Sequence, residues 1–206
     1  MSLRVALLAL LAARPMTGFD AMRQFDASVD YLWHAPHTQI YPELRKLESA
    51  GLIEGEEVPR GEHARKRRYS ITEAGREQLR EWVEDVEEPR RERDPQRLKA
   101  AYFEWARPEA ARAQLEAHAR FYEDALASYE KQREDILARR VPLLLARLER
   151  TPPDEQEAVV EFKAFAYSGL IARARAEVEW AQEGLRLLDR LHSGRSQEEA
   201  AEQPGA

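Results

Sequence analysis

Apolar residues recur along this chain mainly at helical spacing. Residues 3–13 (LRVALLALLAA) are apolar nearly all round, which predicts a helix lying in a domain core. Arg14-Pro15-Met16-Thr17-Gly18 breaks it. Thr17 can cap a second helix over roughly 18–27, with Phe19, Met22 and Phe25 as its inward stripe. Residues 28–35 read as a polar-aromatic connection holding Tyr31 and Trp33. A third helix is expected over 36–50, its inner face made of Ile40, Leu44 and Leu47 at i, i+4, i+7. Pro36 suits its first turn and Gly51 its C-terminal cap. Residues 52–58 and 68–71 read as two short strands joined by PRGEHARKR. Thr72 then caps a helix that runs to about Val86 through Leu79, Trp82 and Val83.

Residues 84–95 (EDVEEPRRERDP) are a charged, proline-bounded linker, and the domain boundary falls there. The expected organisation is a first domain over 1–87, a linker at 88–95, a helical domain over 96–192 and a disordered polar tail at 193–206. In the helical part, a short helix from Asp94-Pro95 to about Ala106 carries Leu98, Tyr102, Phe103 and Trp105. A long helix restarts at Arg107-Pro108-Glu109. Its Leu115, Ala119, Tyr122, Leu126, Tyr129, Arg133 and Ile136 step by four and three, a heptad-type seam interrupted by Arg133. Pro142 ends that pattern, and 143–148 is a short apolar piece before Thr151-Pro152-Pro153. The final helix is expected from Asp154 to Leu191 or His192. Its packing side holds Phe162, Phe165, Ala166, Gly169, Ala176, Trp180, Leu187 and Leu188. Two long amphipathic helices cannot bury such faces alone, so a homodimer is expected.

Composition changes this picture in three ways. With 206 residues, 43% hydrophobic and 34% charged, the chain suits a soluble, helix-rich protein. It has no cysteine, which removes disulfides, thiolate metal sites and cysteine redox sensing together. The net charge of −6 counts against a nucleic-acid binder, but residues 1–80 hold 12 Lys/Arg against 11 Asp/Glu, leaving 20 against 27 for the rest. Within the hairpin joint, Arg60, Arg65, Lys66, Arg67 and Arg68 stand close together with His63. Such charges are ordinarily a solvated turn. Directly behind the third helix they would lie beside a phosphate backbone, each neutralised phosphate steepening the salt dependence by about 0.9 log units per log unit of salt. The apolar run at 5–13 is too short to span a bilayer and has only Arg4 before it, so it reads as a buried first helix and the expected location is cytoplasmic, with no membrane partner.

The outer face of the third helix carries the candidate chemistry: His37, Thr38, Gln39, Tyr41, Arg45 and Lys46, with Glu43 the odd acid. A helix followed at once by a basic two-stranded turn is the order of parts in a winged helix-turn-helix. His37, Thr38 and Gln39 stand at the helix N-terminus, where base edges are usually reached, and Gln39 can bond adenine bidentately. Tyr41, Arg45 and Lys46 suit phosphates or the groove rim, although Tyr41 reads equally well as packing. The expected DNA-binding set is completed by Arg65, Lys66, Arg67 and Arg68. The five histidines show no metal spacing, and neither a glycine-rich phosphate loop nor a Gly-x-Ser-x-Gly elbow is present. No catalysis and no cofactor are expected. A scaffold that uses its winged helix for protein contacts is the rival reading, and the acidic total suits it. Tyr102, Phe103, Trp105, Phe121, Tyr122, Phe162, Phe165, Tyr167 and Trp180 can be core and dimer packing or the lining of an effector pocket.

Several runs of residues 3–83 resemble the PadR family of winged-helix regulators. They are Leu7-Leu8-Ala9-Leu10-Leu11 with Arg14-Pro15-Met16-Thr17-Gly18-Phe19, and Gln39-Ile40-Tyr41-Pro42-Glu43-Leu44-Arg45-Lys46-Leu47-Glu48 with Gly51-Leu52-Ile53. The third is Arg67-Arg68-Tyr69-Ser70-Ile71-Thr72-Glu73-Ala74-Gly75-Arg76. The resemblance implies a mainly α fold, an N-terminal winged helix-turn-helix with a two-stranded wing followed by a helical dimerisation domain. It also implies a dimeric transcriptional regulator, usually a repressor, of double-stranded operator DNA, with a small aromatic or drug-like effector in some members. Thr38-Gln39 stands where the family often has Gly-Thr or Gly-Ser, and Phe19 where Tyr is common. The C-terminal half more loosely resembles the subfamily with a virulence-activator-like tail, through Glu177-Val178-Glu179-Trp180.

Overall fold

The computed structural model describes residues 3–25, 37–60, 64–89 and 93–201; the side chains of His37, Arg60, Ala64 and 194–201 are not described. The connection with Tyr31 and Trp33, the helix start at Pro36, and His63 lie outside the described residues. The chain folds as two compact units: Met1–Pro89 with Arg139–Glu157, and Arg90–Ala138 with Ala158–Ala206.

In the first unit, α1 (Leu3–Ala13) is the central core helix, with Leu7, Leu8 and Leu11 almost fully buried. After a two-residue strand, β1 (Met16–Thr17), the chain turns into α2 (Gly18–Gln24). Thr17 caps α2 through a reciprocal box with Asp20, whose backbone N–H donates to the threonine hydroxyl at 3.2 Å. The inward face of α2 is Gly18, Ala21 and then Phe25, with Met22 half-buried. Phe19 was expected on that face and instead points out, 54% exposed. The two stripes differ by one residue of rotation, and the core selects the one that can seat small residues close to α3.

α3 (Ile40–Ser49) is preceded by one tight turn over His37–Gln39. Gly51 follows it with φ 71°, the left-handed conformation expected past a helix end. β2 (Ile53–Arg60) and β3 (Ala64–Ile71) form an antiparallel hairpin, and β1 adds to the outer side of β3 to give the order β1-β3-β2. α4 (Glu73–Glu84) starts at Thr72, whose hydroxyl accepts from Gly75 N–H and donates to the Gly51 carbonyl, fastening α4 to the turn after α3. The helix was expected to reach about Val86 and ends at Glu84, with Trp82 and Val83 36% and 69% exposed.

α7 (Pro142–Leu148) packs against α1 and sends Leu143 into the same core. Residues 139–157 therefore belong with the first unit, whereas the sequence reading placed them in the helical half. α1 is apolar all round and offers α7 a face that α2 and α3 leave uncovered.

In the second unit, Asp94 caps the short α5 (Pro95–Ala100), and one turn at Phe103–Trp105 leads to α6 (Pro108–Leu137). α8 (Gln156–Ala201) returns antiparallel to α6, as shown by the cross-links Arg112–Asp189, His118–Glu177, Arg175–Glu130 and Arg133–Ser168. The α6 seam is the expected one, with Leu115, Ala119 and Ile136 buried and Arg133 escaping to the Ser168 hydroxyl. α8 differs from expectation twice. It continues to Ala201, into the stretch expected as a disordered tail. Its buried side is Val160, Ala164, Tyr167, Ile171, Ala174, Glu177 and Ala181, while Phe162, Phe165, Ala166, Gly169 and Ala176 of the expected packing side are exposed. α8 has two apolar faces, and α6 covers only one.

Candidate nucleic-acid interface

α3 is held from below by Ile40, Leu44 and Leu47, each with no exposed surface. That anchoring leaves the rest of the helix surface to face outward. Thr38, Gln39, Arg45 and Lys46 are exposed, and Gln39 occupies the N-cap without spending its side chain on a capping bond. Its amide is thus available to another partner. Pro42 falls in the first turn, where its missing N–H is not needed. Tyr41 is 44% exposed, yet one edge of its ring lies against α2: a Cβ placed on Gly18 would come within 2.6 Å of Cε1. The packing role of Tyr41 is thereby real, and glycine at 18 is what lets the ring approach. Glu43 is the largely covered acid of the set; its carboxylate is 3.4 Å from Lys46 Nζ and 3.8 Å from Arg4 Nε.

Tyr41, Arg45 and Glu48 follow one stripe of α3 at i, i+4, i+7 and border Tyr69 and Arg67 of β3. Burial pushes the Tyr69 hydroxyl above its ordinary pKa, and the Glu48 charge adds to the effect.

The hairpin is longer than the sequence suggested. Arg65, Lys66, Arg67 and Arg68 lie inside β3 and not in a turn. Cross-strand pairing of opposite charges explains the extension: Arg68 stands opposite Glu56 and Arg67 opposite Glu57. Arg68 bonds Glu56 at 2.7 Å through Nε, Arg65 bonds Glu57 at 2.8 Å, and Arg67 reaches past its own strand to Glu48 of α3. The Arg65 hydrogen bond and charge hold the Glu57 carboxyl below its ordinary value. Strand alternation divides the four cations, with Arg65 and Arg67 on the face of Tyr69 and Ile71, and Lys66 and Arg68 on the other. Lys66 is exposed and contributes to lowering the pKa of Asp20, after the leading hydrogen bond from Thr17. The basic run is therefore strongly offset by acids that the sequence reading left unassigned. Their signal was present, since Glu56 and Glu57 sit at mirror distance from Arg67 and Arg68 about the turn, but it needs the hairpin register to be read.

In the helical unit, a cleft of about 780 Å³ is lined by Phe103, Leu115, Trp180, Gly184, Leu187 and neighbouring residues. Two of the nine candidate aromatics, Phe103 and Trp180, line it; Tyr102, Trp105, Phe121, Phe162 and Phe165 are exposed, and Tyr167 is buried. Beside the cleft is a polar cluster that sequence reading missed. The buried Glu177 carboxylate accepts from Arg97 at 3.2 Å and lies 3.0 Å from His118 Nε2. The Arg97 guanidinium stands 4.9 Å from the Trp180 ring, and His118 contacts the rings of Tyr122 and Trp180. The Glu177-to-Trp180 step thus has a structural purpose: it binds α5 and α6 to α8. Among the described residues no cluster of His, Asp and Glu could hold a metal ion, and no helix is long and apolar enough to cross a membrane.

Residues 7–81 match the family described as "Transcriptional regulator PadR-like family". Over 193 residues the chain is 28% identical to the negative transcriptional regulator PadR of Bacillus subtilis (strain 168), covering 91% of this chain and 98% of that protein. The crystal structure of B. subtilis PadR in complex with operator DNA is similar at a TM-score of 0.70 and 24% identity, over 90% of this chain and 98% of that one. The structure of the same protein in complex with p-coumaric acid gives 0.66 and 23%, over 91% and 95%. The Vibrio cholerae virulence activator AphA gives 0.65 and 25%, over 92% and 99%. These relatives are transcriptional regulators and not enzymes. Residues 7–81 thus form a PadR-like transcriptional-regulator domain, and the chain is similar along nearly its whole length to a PadR regulator.

Proposed function

We propose that the protein is a homodimeric repressor that binds operator DNA in a sequence-specific manner and is released by a small aromatic or drug-like effector. The observation that carries this reading is α3, a helix seated on three fully buried residues with Thr38, Gln39, Arg45 and Lys46 turned to solvent. In this reading His37, Thr38 and Gln39 meet base edges, Tyr41, Arg45 and Lys46 hold the groove rim, and Arg65, Lys66 and Arg68 approach phosphates. The B. subtilis relative is a negative regulator whose structures hold operator DNA and p-coumaric acid, which supports carrying repression and an aromatic effector over to this chain. The uncovered apolar face of α8 supports a dimer, and a dimer sets two reading helices about 34 Å apart on one side of the duplex. Such a protein works in the cytoplasm, at the nucleoid. The cleft beside Trp180 is the candidate effector seat.

A winged helix used for protein contacts is the second reading, favoured by one observation: Arg65, Arg67 and Arg68 are each paired with a glutamate. Fluorescence anisotropy decides between them, using labelled DNA from upstream of the protein's own reading frame and an unrelated duplex, across a salt series. Selective, steeply salt-dependent binding at one dimer per site is the expected result. Weak binding, equal for both duplexes and for any DNA the protein enriches, favours the scaffold. Adding a panel of small aromatic acids should weaken operator binding; unchanged affinity across the panel argues against release by such an effector.

A further inference from the structure

Among the paired cations of β3, Arg67 has a partner on another element. Its Nε donates to both oxygens of Glu48, at 3.1 and 3.2 Å, and its Nη2 reaches Oε1 at 2.5 Å. Glu48 lies in the last turn of α3, and its side chain is only 25% exposed, against 55% and 56% for Glu57 and Glu56. The guanidinium passes over β2 at Gly55, where an added Cβ would collide with both Arg67 Nε and Glu48 Oε1. Gly55 stands opposite Tyr69, two pairs nearer the hairpin base than Arg67 and on the same face, so any side chain there would obstruct the Arg67–Glu48 contact. A forked, two-point contact of this kind fixes orientation as well as distance.

We propose that Glu48 is a positioning residue for DNA recognition: through Arg67, above Gly55, it sets the hairpin at one angle to α3. This rests on the DNA-binding reading of α3 and the hairpin. Arg67 then leaves the set of phosphate-contacting cations and acts as a strut between the two reading elements.

Charge alone and positioning predict opposite signs. An acid beside a DNA-binding face repels phosphate, so Glu48→Gln on electrostatic grounds should tighten binding to every duplex. As a strut, Glu48 is needed for the two elements to engage one duplex together, and the same change weakens selective binding.

The test starts with the duplex that the full-length wild-type protein enriches from a random library. That duplex and an unrelated one are titrated by anisotropy over a salt series. The proteins are wild type, Glu48→Gln, Gly55→Ala, Arg67→Gln and the swap combining Glu48→Arg with Arg67→Glu, with circular dichroism reporting the fold. Each single change is expected to lose about fivefold or more on the enriched duplex and stay within about twofold on the unrelated one. The salt slope stays at its wild-type value, and the swap recovers affinity. Because the swap retains both charges, it decides the matter should a single variant melt below the assay temperature. Wild-type or tighter binding by Glu48→Gln overturns positioning alone. So does a slope lowered by about 0.9 in Arg67→Gln with equal loss on both duplexes, the signature of a phosphate contact. A wild type that enriches no duplex overturns positioning and the operator reading together.

Discussion

At the scale of single residues, Gln39 carries the clearest consequence. Its side chain makes no capping bond and is exposed at the start of α3, so a bidentate bond to adenine costs the helix nothing. Gln39→Ala is expected to lose about 1–3 kcal/mol of discrimination at one A·T pair while binding unrelated DNA and responding to salt as wild type does. Competition between operators that differ at single base pairs measures this, and equal loss at every position would refute it. Thr17 is the structural counterpart. Its capping box with Asp20 begins α2, and Thr17→Ala should cost about 1 kcal/mol in urea unfolding. Thr17, Ile40, Leu44 and Leu47 were legible in the sequence because a cap and an i, i+4, i+7 stripe are local patterns. Phe19 was not. Phe19, Met22 and Phe25 fit a helix face as well as Gly18, Ala21 and Phe25 do, and only the approach of α3 chooses between them. The seat of Tyr41 on Gly18 was illegible for the same reason, being a contact between two helices.

At the scale of elements, the hairpin and α8 show how pairing decides what a pattern means. The sequence reading placed a basic joint between two short strands; the structure has two eight-residue strands whose acids and bases face one another. Local spacing locates charges, but register determines which are offset. Removing the acids should therefore expose the wing. Replacing Glu56 and Glu57 together with Gln is expected to raise affinity for any duplex and to steepen the salt slope by up to about 0.9 for each cation that then meets a phosphate. An unchanged slope would show that Arg65 and Arg68 stay away from the DNA backbone. α8 presents the matching case for apolar residues. Its sequence holds two apolar stripes, and nothing in the spacing says which of them α6 takes. The stripe through Phe162 and Gly169 was read as the packing side, and it is the one left open.

At the scale of the whole molecule, two features bear on assembly and stability. Burial pushes the Glu177 carboxyl upward, but hydrogen bonds from Arg97 and His118, with their charges, outweigh it and hold the group below its ordinary 4.5. A carboxyl lowered in the folded state contributes stability above its unfolded value, and that contribution is lost as pH falls through the folded value. Thermal melts of wild type should therefore drop more steeply below about pH 4.5 than those of Glu177→Gln. At neutral pH, Glu177→Ala should cost about 1–3 kcal/mol, because the covered His118 loses its partner while the half-exposed Arg97 keeps Asp94. The open face of α8 carries the assembly argument. Phe162 and Phe165 are each 74% exposed, and Gly169, Ala172 and Ala176 continue the same stripe with small residues that allow close approach. Uncovered aromatic surface of this extent calls for a partner, and the same stripe on a second copy can interdigitate with it. Changing Phe162 and Phe165 together to Glu should halve the mass seen by light scattering and leave helicity intact, since neither ring fills the chain's own core. Operator affinity should fall about a hundredfold, because each head then binds without the other's help. A wild type that is itself monomeric at micromolar concentration, or a variant that keeps the dimer mass, would remove α8 as the dimer face.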